Sequence, residues 1–289
     1  MATDGRHAEV QFGTDWIMDA ARRDFTLNAL YCFADGRIFD PLDGLGDALN
    51  GRVRFIGDAA ARIGEDVLRV FRFFRFSASH GGQVLDADGL AACADAVGRL
   101  DQISAERIGG EMLRMLALPA IVQTLGVMSR IGLVPVTDAA LKALQAYEAI
   151  GGRSPAARLA ILGGNDLAGL QKRWRLSNAL IQSAENISAS AVLLAEGKPG
   201  WAAYRYGEDA VEGLAVAAAQ AHWPRERLAE VARDMGRLPV RPLPIGGQDL
   251  MARGIPAGPQ LGATLVRLEM LWVESDFSLE PEQLLSRIG

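Results

Sequence analysis

Residues 65–76 read EDVLRVFRFFRF, a run in which an arginine recurs at every third position among four phenylalanines. The apolar positions follow the i, i+3, i+4, i+7 spacing of one buried helix face. These positions are Val67, Val70, Phe71, Phe74 and Ala78. The stretch therefore predicts a helix that lays one face on a hydrophobic core.

A second stripe of the same predicted helix is charged. Asp66, Arg69 and Arg72 stand three residues apart, so they can project toward one side. On one helix, Asp66 and Arg72 would be separated by about 9 Å along the axis. Two interpretations stay open. The stripe is either a solvated face with weak ion pairs, or a row of one carboxylate and two planar donors that binds a ligand.

Composition predicts a globular, mostly α protein. The chain has 289 residues, of which 49% are hydrophobic and 22% charged. Alanine and leucine dominate, and β-branched runs are confined to roughly the first sixty residues. No apolar run approaches the ~20 residues that span a bilayer, and MATDGRHAEV does not resemble a signal sequence. Two cysteines indicate neither a disulfide framework nor a zinc site, so we expect a cytoplasmic protein.

The N-terminal region predicts a small α+β unit. Within residues 22–57, FTLNALYCF indicates a short helical turn and a strand, and ADG at 34–36 a hairpin turn before the strand RIFD. A turn at 41–44, a short helix and a strand RVRFIG follow. Upstream, HAEVQFG alternates like a strand and DWIMDAARR like an amphipathic turn. From Asp58 onward the pattern is helical.

Several of these segments together resemble the tRNA nucleotidyltransferase and bacterial poly(A) polymerase family. They are RRDFTLNAL (22–30), DPLDGLGDAL (40–49) and RFIGDAAARIGEDVLRVFRFFRF (54–76). A looser similarity continues in LDQISAERIGGEMLRML (100–116), RLSNALI (175–181) and the tail at 242–274. Each segment alone is moderately specific, whereas their ordered set is strongly so and favours the ligand-binding interpretation of the arginine helix.

The resemblance implies a domain organisation. We expect a partial nucleotidyltransferase head at 1–57 and a helical neck with the nucleotide-reading helix at 58–118. A helical body at 119–238 and a helical tail at 239–289 would follow.

The resemblance also implies roles for five residues, which would bind an incoming nucleotide. Asp66 and Arg69 would read the base, because cytosine and adenine both present an amino donor beside a ring-nitrogen acceptor. Uracil and guanine would instead turn a carbonyl oxygen toward Asp66, leaving a desolvated acceptor unsatisfied. Arg23 and Arg72 would grip the triphosphate, and Asp24 would lie close to the ribose. Arg22 and Arg75 would be structural or peripheral to the phosphates.

One part of the family pattern is missing from this sequence. The family holds two Mg²⁺ ions with an Asp-x-Asp pair that follows a Gly-Ser motif and precedes RRD. Upstream of Arg22 the acidic residues are Asp4, Glu9, Asp15 and Asp19, and none forms such a pair. We therefore assign no catalytic residue and no metal ligand to this chain, and expect Mg²⁺ as cofactor of a complete enzyme.

Three explanations remain for that gap: a truncated sequence, one half of a split enzyme, or a degenerate relative that binds without catalysing. Truncation is the simplest, and in each case we expect the chain by itself not to transfer nucleotides. The function implied is template-independent addition of C and A to tRNA 3′ ends from CTP and ATP. A separate chain that carries the catalytic carboxylates is a further candidate partner. The alternatives are a poly(A) polymerase and a noncatalytic RNA- or nucleotide-binding relative.

Overall fold

The computed structural model describes residues 15–288, and these divide into two compact units between Pro135 and Val136. The described part is mostly helical, which confirms the predicted fold class. The strand predicted at HAEVQFG lies outside the described residues. The boundary between the units falls inside the predicted body, and the division into head, neck, body and tail stays a prediction.

The first unit combines a β-hairpin with seven described helices. Strand β1 (Tyr31–Cys32) pairs antiparallel with β2 (Ile38–Phe39), and a short 3-10 helix, Thr26–Asn28, precedes them. The helices are α1 (Trp16–Ala21), α2 (Leu45–Leu49), α3 (Ala59–Glu65), α4 (Arg69–Ser79), α5 (Ala87–Asp95), α6 (Ala105–Leu116) and α7 (Val122–Arg130).

The hairpin agrees with its sequence signals. Gly36 in the turn has φ +85°, a conformation that glycine adopts without strain, and the Phe33 amide donates to the Arg37 carbonyl at 2.9 Å. The strand predicted at RVRFIG is wrong in extent, because it is reduced to one antiparallel bridge between Phe25 and Phe55. The pairing ends there because the chain turns into the 3-10 helix directly after Phe25.

The arginine helix begins later than its sequence predicts. Asp66 is extended, with φ −153° and ψ 106°, and separates α3 from α4. Its carboxylate accepts a hydrogen bond from the Leu68 amide at 3.1 Å, so the chain turns at this carboxylate before α4 starts. The prediction that Asp66 and Arg72 share one helix is therefore wrong, and so is the axial separation derived from it.

The predicted buried face is present at Val70, Phe71 and Phe74, each no more than 2% exposed. Val67 is buried just before α4 begins, Ala78 is half-buried, and Phe73, which was not predicted, is fully buried as well. Phe73 stacks on Phe55 with ring centroids 5.5 Å apart, and Phe25 lies 4.9 Å from Phe55. This aromatic cluster fixes the segment after RRD against α4.

The second unit is helical throughout its described part. Its helices are α8 (Asp138–Ala149), α9 (Pro155–Gly163), α10 (Leu167–Trp174), α11 (Asn178–Ala195), α12 (Pro199–Tyr206), α13 (Asp209–Gln220), α14 (Arg225–Arg237), α15 (Gly247–Ala252), α16 (Pro259–Glu274) and α17 (Pro281–Leu285). Its last three helices share a core around Leu250, Leu268, Trp272 and Leu284. No helix in residues 15–288 is long and apolar enough to cross a membrane.

Candidate functional site

A cleft of about 330 Å³ lies in the first unit, where the RRD segment faces α4 and α6. It is lined by Arg22, Arg23, Asp24, Asn28, Asp66, Leu68, Arg69, Arg72 and Arg107. All five residues predicted to bind a nucleotide therefore lie around one space. Asn28, Leu68 and Arg107 were not predicted, and Arg22 was predicted only as peripheral.

Asp24 is the buried anchor of the cleft. Asp24 is only 5% exposed. Its carboxylate accepts one hydrogen bond from Arg72 Nε and another from Asn28 Nδ2 at 2.7 Å. Burial pushes the pKa of Asp24 upward, but the bonds from Arg72 and Asn28 outweigh it and hold that pKa below its usual range. Asp24 thus stays ionised and fixes the Arg72 guanidinium from the opposite segment.

Arg72 lies between two carboxylates of different elements. Besides Asp24, its Nη1 is 3.8 Å from Oε1 of Glu111 on α6, and its guanidinium carbon is 5.5 Å from the Phe76 ring centroid. Burial lowers the pKa of Arg72, but the hydrogen bond to Asp24 and the negative charges of Asp24, Glu111 and Asp66 together outweigh that effect, so the net shift is upward. The side chain remains 31% exposed, so a permanently charged fork faces the cleft.

Arg23 is oriented by groups of its own segment. Its Nη2 donates to Asp19 at 2.8 Å and its Nη1 to the Asn28 carbonyl at 2.9 Å. The Asp19 carboxylate also accepts from the Tyr31 hydroxyl at 2.8 Å, and that bond is the main cause that lowers the pKa of Asp19. The Arg23 side chain is 42% exposed, so it can meet an anion without leaving these partners.

Arg62 on α3 holds the RRD turn in place, although its role was not predicted. Its Nη2 donates to the Ala21 carbonyl at 2.7 Å and also to the Arg23 carbonyl. Arg62 lies in the predicted helical stretch ARIGE, where alternation of charge gives no sign of a contact 39 residues earlier.

Asp66 and Arg69 lie in the same cleft but have different partners. Asp66 Oδ2 accepts from Arg107 Nη2 at 2.7 Å. Arg69 Nη1 donates to Glu65 at 2.5 Å and to the Arg62 carbonyl at 2.8 Å. Asp66 is 34% exposed and Arg69 only 14% exposed at their side chains. The carboxylate thus stands further into solvent than the guanidinium.

The charge of the lining favours anions. Five arginines and two aspartates surround the cleft, although the whole chain carries a net charge of −5. Guanidinium groups bind phosphate oxygens through paired, charge-assisted hydrogen bonds. The cleft can therefore hold a polyanion, while Asp66 offers an acceptor for a neutral amino group.

The residues 15–288 contain no cluster of three or more His, Cys, Asp or Glu side chains that could hold a metal ion. The two aspartates of the cleft have arginine partners instead. The described lining therefore does not fit a metal centre, whereas it does fit a phosphate-bearing ligand.

A family model and several known proteins are similar to this chain in sequence. A family model described as "Poly A polymerase head domain" matches residues 2–54. The Mus musculus protein "CCA tRNA nucleotidyltransferase 1, mitochondrial" is 32% identical, in an alignment that covers 100% of this chain and 70% of the mouse protein. The "CCA-adding enzyme" of Levilactobacillus brevis is 31% identical, over 98% of this chain and 75% of that protein.

A solved structure agrees with these relatives. The Bacillus stearothermophilus CCA-adding enzyme in complex with CTP matches with a TM-score of 0.79 and 27% sequence identity. The match covers 96% of this chain and 75% of that chain. The similarity therefore extends over both units of the fold.

Proposed function

Because the chain belongs to the tRNA nucleotidyltransferase family, which includes the CCA-adding enzymes, we propose that its cleft selects CTP and ATP for addition to tRNA 3′ ends. One observation carries the proposal above all others: Arg23, Asp24, Asp66, Arg69 and Arg72 line the same cleft. They come from the RRD turn, the α3–α4 junction and α4, which are separated in sequence.

Base selection rests on Asp66. The amino groups of cytosine and adenine can donate to its carboxylate. Among residues 15–288, Arg107 is the one donor to its Oδ2 and the Leu68 amide the one donor to its Oδ1. Each carboxylate oxygen has a second lone pair that can accept. Uracil and guanine present a carbonyl oxygen at the same place, and two facing acceptors are repelled. Arg69 supplies the donor for the neighbouring ring-nitrogen acceptor.

Triphosphate binding rests on Arg23 and Arg72. Both are partly exposed in the cleft, and both are held by carboxylates, Asp19 and Asp24 respectively. Prior orientation lowers the entropy that a side chain loses on binding. Asp24 itself has each oxygen engaged, so we propose that it acts on the ribose side mainly by fixing Arg72 and Asn28.

Nucleotidyltransferases of this family generally use a divalent metal, and we propose that the ion here is Mg²⁺, which suits phosphate oxygens. The described cleft residues recognise the nucleotide and do not themselves form the metal centre. A bound Mg²⁺ would supply charge neutralisation on the triphosphate. We further propose a cytoplasmic location, which the two unpaired cysteines fit.

A poly(A) polymerase is the second candidate, since the matched head-domain family carries that name. The two functions differ in their use of CTP. Isothermal titration of the chain with CTP, followed by titration of the CTP complex with ATP, separates them. We expect both nucleotides to bind with a stoichiometry of one and to compete. Binding of ATP without measurable binding of CTP would favour the poly(A) polymerase.

A further inference from the structure

The carboxylate of Asp66 accepts hydrogen bonds from two donors, one in its own segment and one in a distant helix. The Leu68 amide binds Oδ1 at 3.1 Å, whereas Arg107 Nη2 on α6 binds Oδ2 at 2.7 Å. Arg107 comes 41 residues later in the chain and also lines the cleft. A helix that contributes no other residue to the cleft lining thus reaches the group that faces the base.

These two hydrogen bonds constrain the carboxylate plane. Asp66 is in an extended stretch between two helices, so no helical backbone limits its rotamer. With one donor on each oxygen, one lone pair per oxygen is left, and its direction is set by where the donors stand. A carboxylate that could turn freely would accept an amino group less well and would clash less with a carbonyl oxygen.

The simplest alternative is an ordinary surface ion pair. The side chains of Arg107 and Asp66 are 51% and 34% exposed, and exposed pairs contribute about 0 to 1 kcal/mol to stability. Such a pair would have no effect on which base is bound. The two interpretations therefore differ in selectivity and not in stability.

We propose that Arg107 is a positioning residue that sets the base selectivity of Asp66. The inference rests on the proposed function, because it concerns the same cleft and the same carboxylate. Arg107 holds Oδ2 so that the remaining lone pairs meet an amino donor, and it keeps Asp66 from turning away from a carbonyl oxygen. Its loss relaxes discrimination between bases and leaves the grip of Arg23 and Arg72 on the triphosphate in place.

The test uses three variants of the full 289-residue chain, each titrated calorimetrically with CTP and UTP. Arg107→Gln removes the charge and the fork, and Arg107→Lys keeps the charge as a compact ammonium without the planar fork. Arg52→Gln is the matched control, because Arg52 also pairs with an aspartate of another segment, Asp86 at 3.0 Å, and is 56% exposed outside the cleft.

We expect Arg107→Gln to lower the ratio of UTP to CTP dissociation constants by at least about tenfold, which corresponds to 1.4 kcal/mol. Arg107→Lys should give an intermediate ratio, and Arg52→Gln the wild-type ratio. An unchanged ratio in Arg107→Gln would overturn the inference, and so would an equal loss of affinity for both nucleotides. Thermal unfolding of each variant shows that it is folded; if Arg107→Gln is not, the Lys variant decides by the same ratio.

The wild-type chain separates this inference from the proposed function. If the wild type binds CTP and UTP equally, the proposed function fails before any variant is compared. If the wild type prefers CTP and Arg107→Gln keeps that preference, only the role of Arg107 is wrong.

Discussion

Two aspartates of the cleft show how one residue type takes different roles. Asp24 is buried with both oxygens occupied, whereas Asp66 is partly exposed with acceptor capacity left on each oxygen. A buried, bonded carboxylate orients its neighbours, since its charge is already compensated. A partly exposed carboxylate can exchange its hydrogen-bond partners with little loss of free energy. These different environments support the proposal that Asp66 contacts the base while Asp24 orients its neighbours.

This difference predicts that substitutions of Asp66 and Arg72 change different properties of nucleotide binding. Asp66→Ala should raise the affinity for UTP relative to CTP, because it removes both the acceptor for an amino group and the repulsion of a carbonyl oxygen. Arg72→Ala should weaken binding of all four nucleotides alike, by roughly 1.5 to 3 kcal/mol for a lost charged contact. Calorimetric titration of each variant with four nucleotides measures both effects.

The control for this pair is Asp95→Ala, which removes an exposed carboxylate of the same unit outside the cleft. It should leave all four affinities unchanged. If Asp66→Ala keeps the wild-type order of nucleotides, Asp66 does not read the base.

Asp24 also predicts a pH dependence of stability. Its pKa is lowered in the folded state, because the bonds from Arg72 and Asn28 outweigh the effect of burial. The ionised group therefore stabilises the fold above its unfolded pKa of about 3.9, and this stabilisation is lost as pH falls through the lower folded value. Denaturant unfolding of wild type and Asp24→Asn between about pH 7 and pH 3 measures it.

We expect the free energy of unfolding of the wild type to fall more steeply toward low pH than that of Asp24→Asn. Other carboxylates with lowered pKa, such as Asp19, contribute equally to both proteins. Parallel curves for the two proteins would show that Asp24 is not a stabilising ion partner in solution.

At the scale of elements, α4 and α6 are joined by a buried carboxylate. Glu111 is 2% exposed and accepts from Arg75 at 2.6 Å and from Arg114 at 2.8 Å. Removing one partner of a buried ion pair leaves an uncompensated charge, here that of Arg75, whose side chain is 16% exposed. This ion pair therefore holds α4 against α6 next to the cleft.

Glu111→Ala should consequently reduce the free energy of unfolding by about 3 to 5 kcal/mol. Arg114→Gln is the matched control on the same helix, because Arg114 is 65% exposed and its ion pair contributes at most about 1 kcal/mol. Urea unfolding monitored by circular dichroism measures both. A loss of less than about 1 kcal/mol in Glu111→Ala would mean that the buried carboxylate is dispensable.

Elements differ in how well the sequence predicts them. The apolar spacing of α4 and the turn at Gly36 are local signals, and both are present in the structure. The break at Asp66 was not predicted, because a carboxylate that bonds a backbone amide two residues on competes with helical hydrogen bonding without disturbing the apolar period. The strand at RVRFIG shortened because its partner segment turns away, which is a tertiary effect.

The residues of the candidate site, like the helices and strands, could be predicted from the sequence only in part. Family resemblance grouped five residues that the fold brings to one cleft. It gave no signal for Arg107, whose place depends on where α6 crosses the α3–α4 junction. Arg107 and Glu111 stand four residues apart in the sequence, a spacing that places them on one helix face, but that spacing does not indicate that Arg107 pairs with Asp66 and Glu111 with Arg75.

At the scale of the molecule, net charge misleads about ligands. The chain carries −5 overall, which alone would argue against a nucleotide or RNA partner. The first unit nevertheless gathers five arginines around one cleft, and a local field of that kind acts on a bound anion more strongly than distant charges do. Local placement, and not composition, therefore decides which ligand the protein binds.

The affinities of CTP, ATP, UTP and GTP for the unmodified 289-residue chain are the direct test of nucleotide selection by this cleft. Each is titrated separately in a calorimeter at one ionic strength. CTP and ATP should bind with a stoichiometry of one, and UTP and GTP at least about tenfold more weakly, which corresponds to 1.4 kcal/mol. Equal affinities for all four nucleotides would contradict base reading by Asp66, and binding of none would contradict a nucleotide site in this cleft.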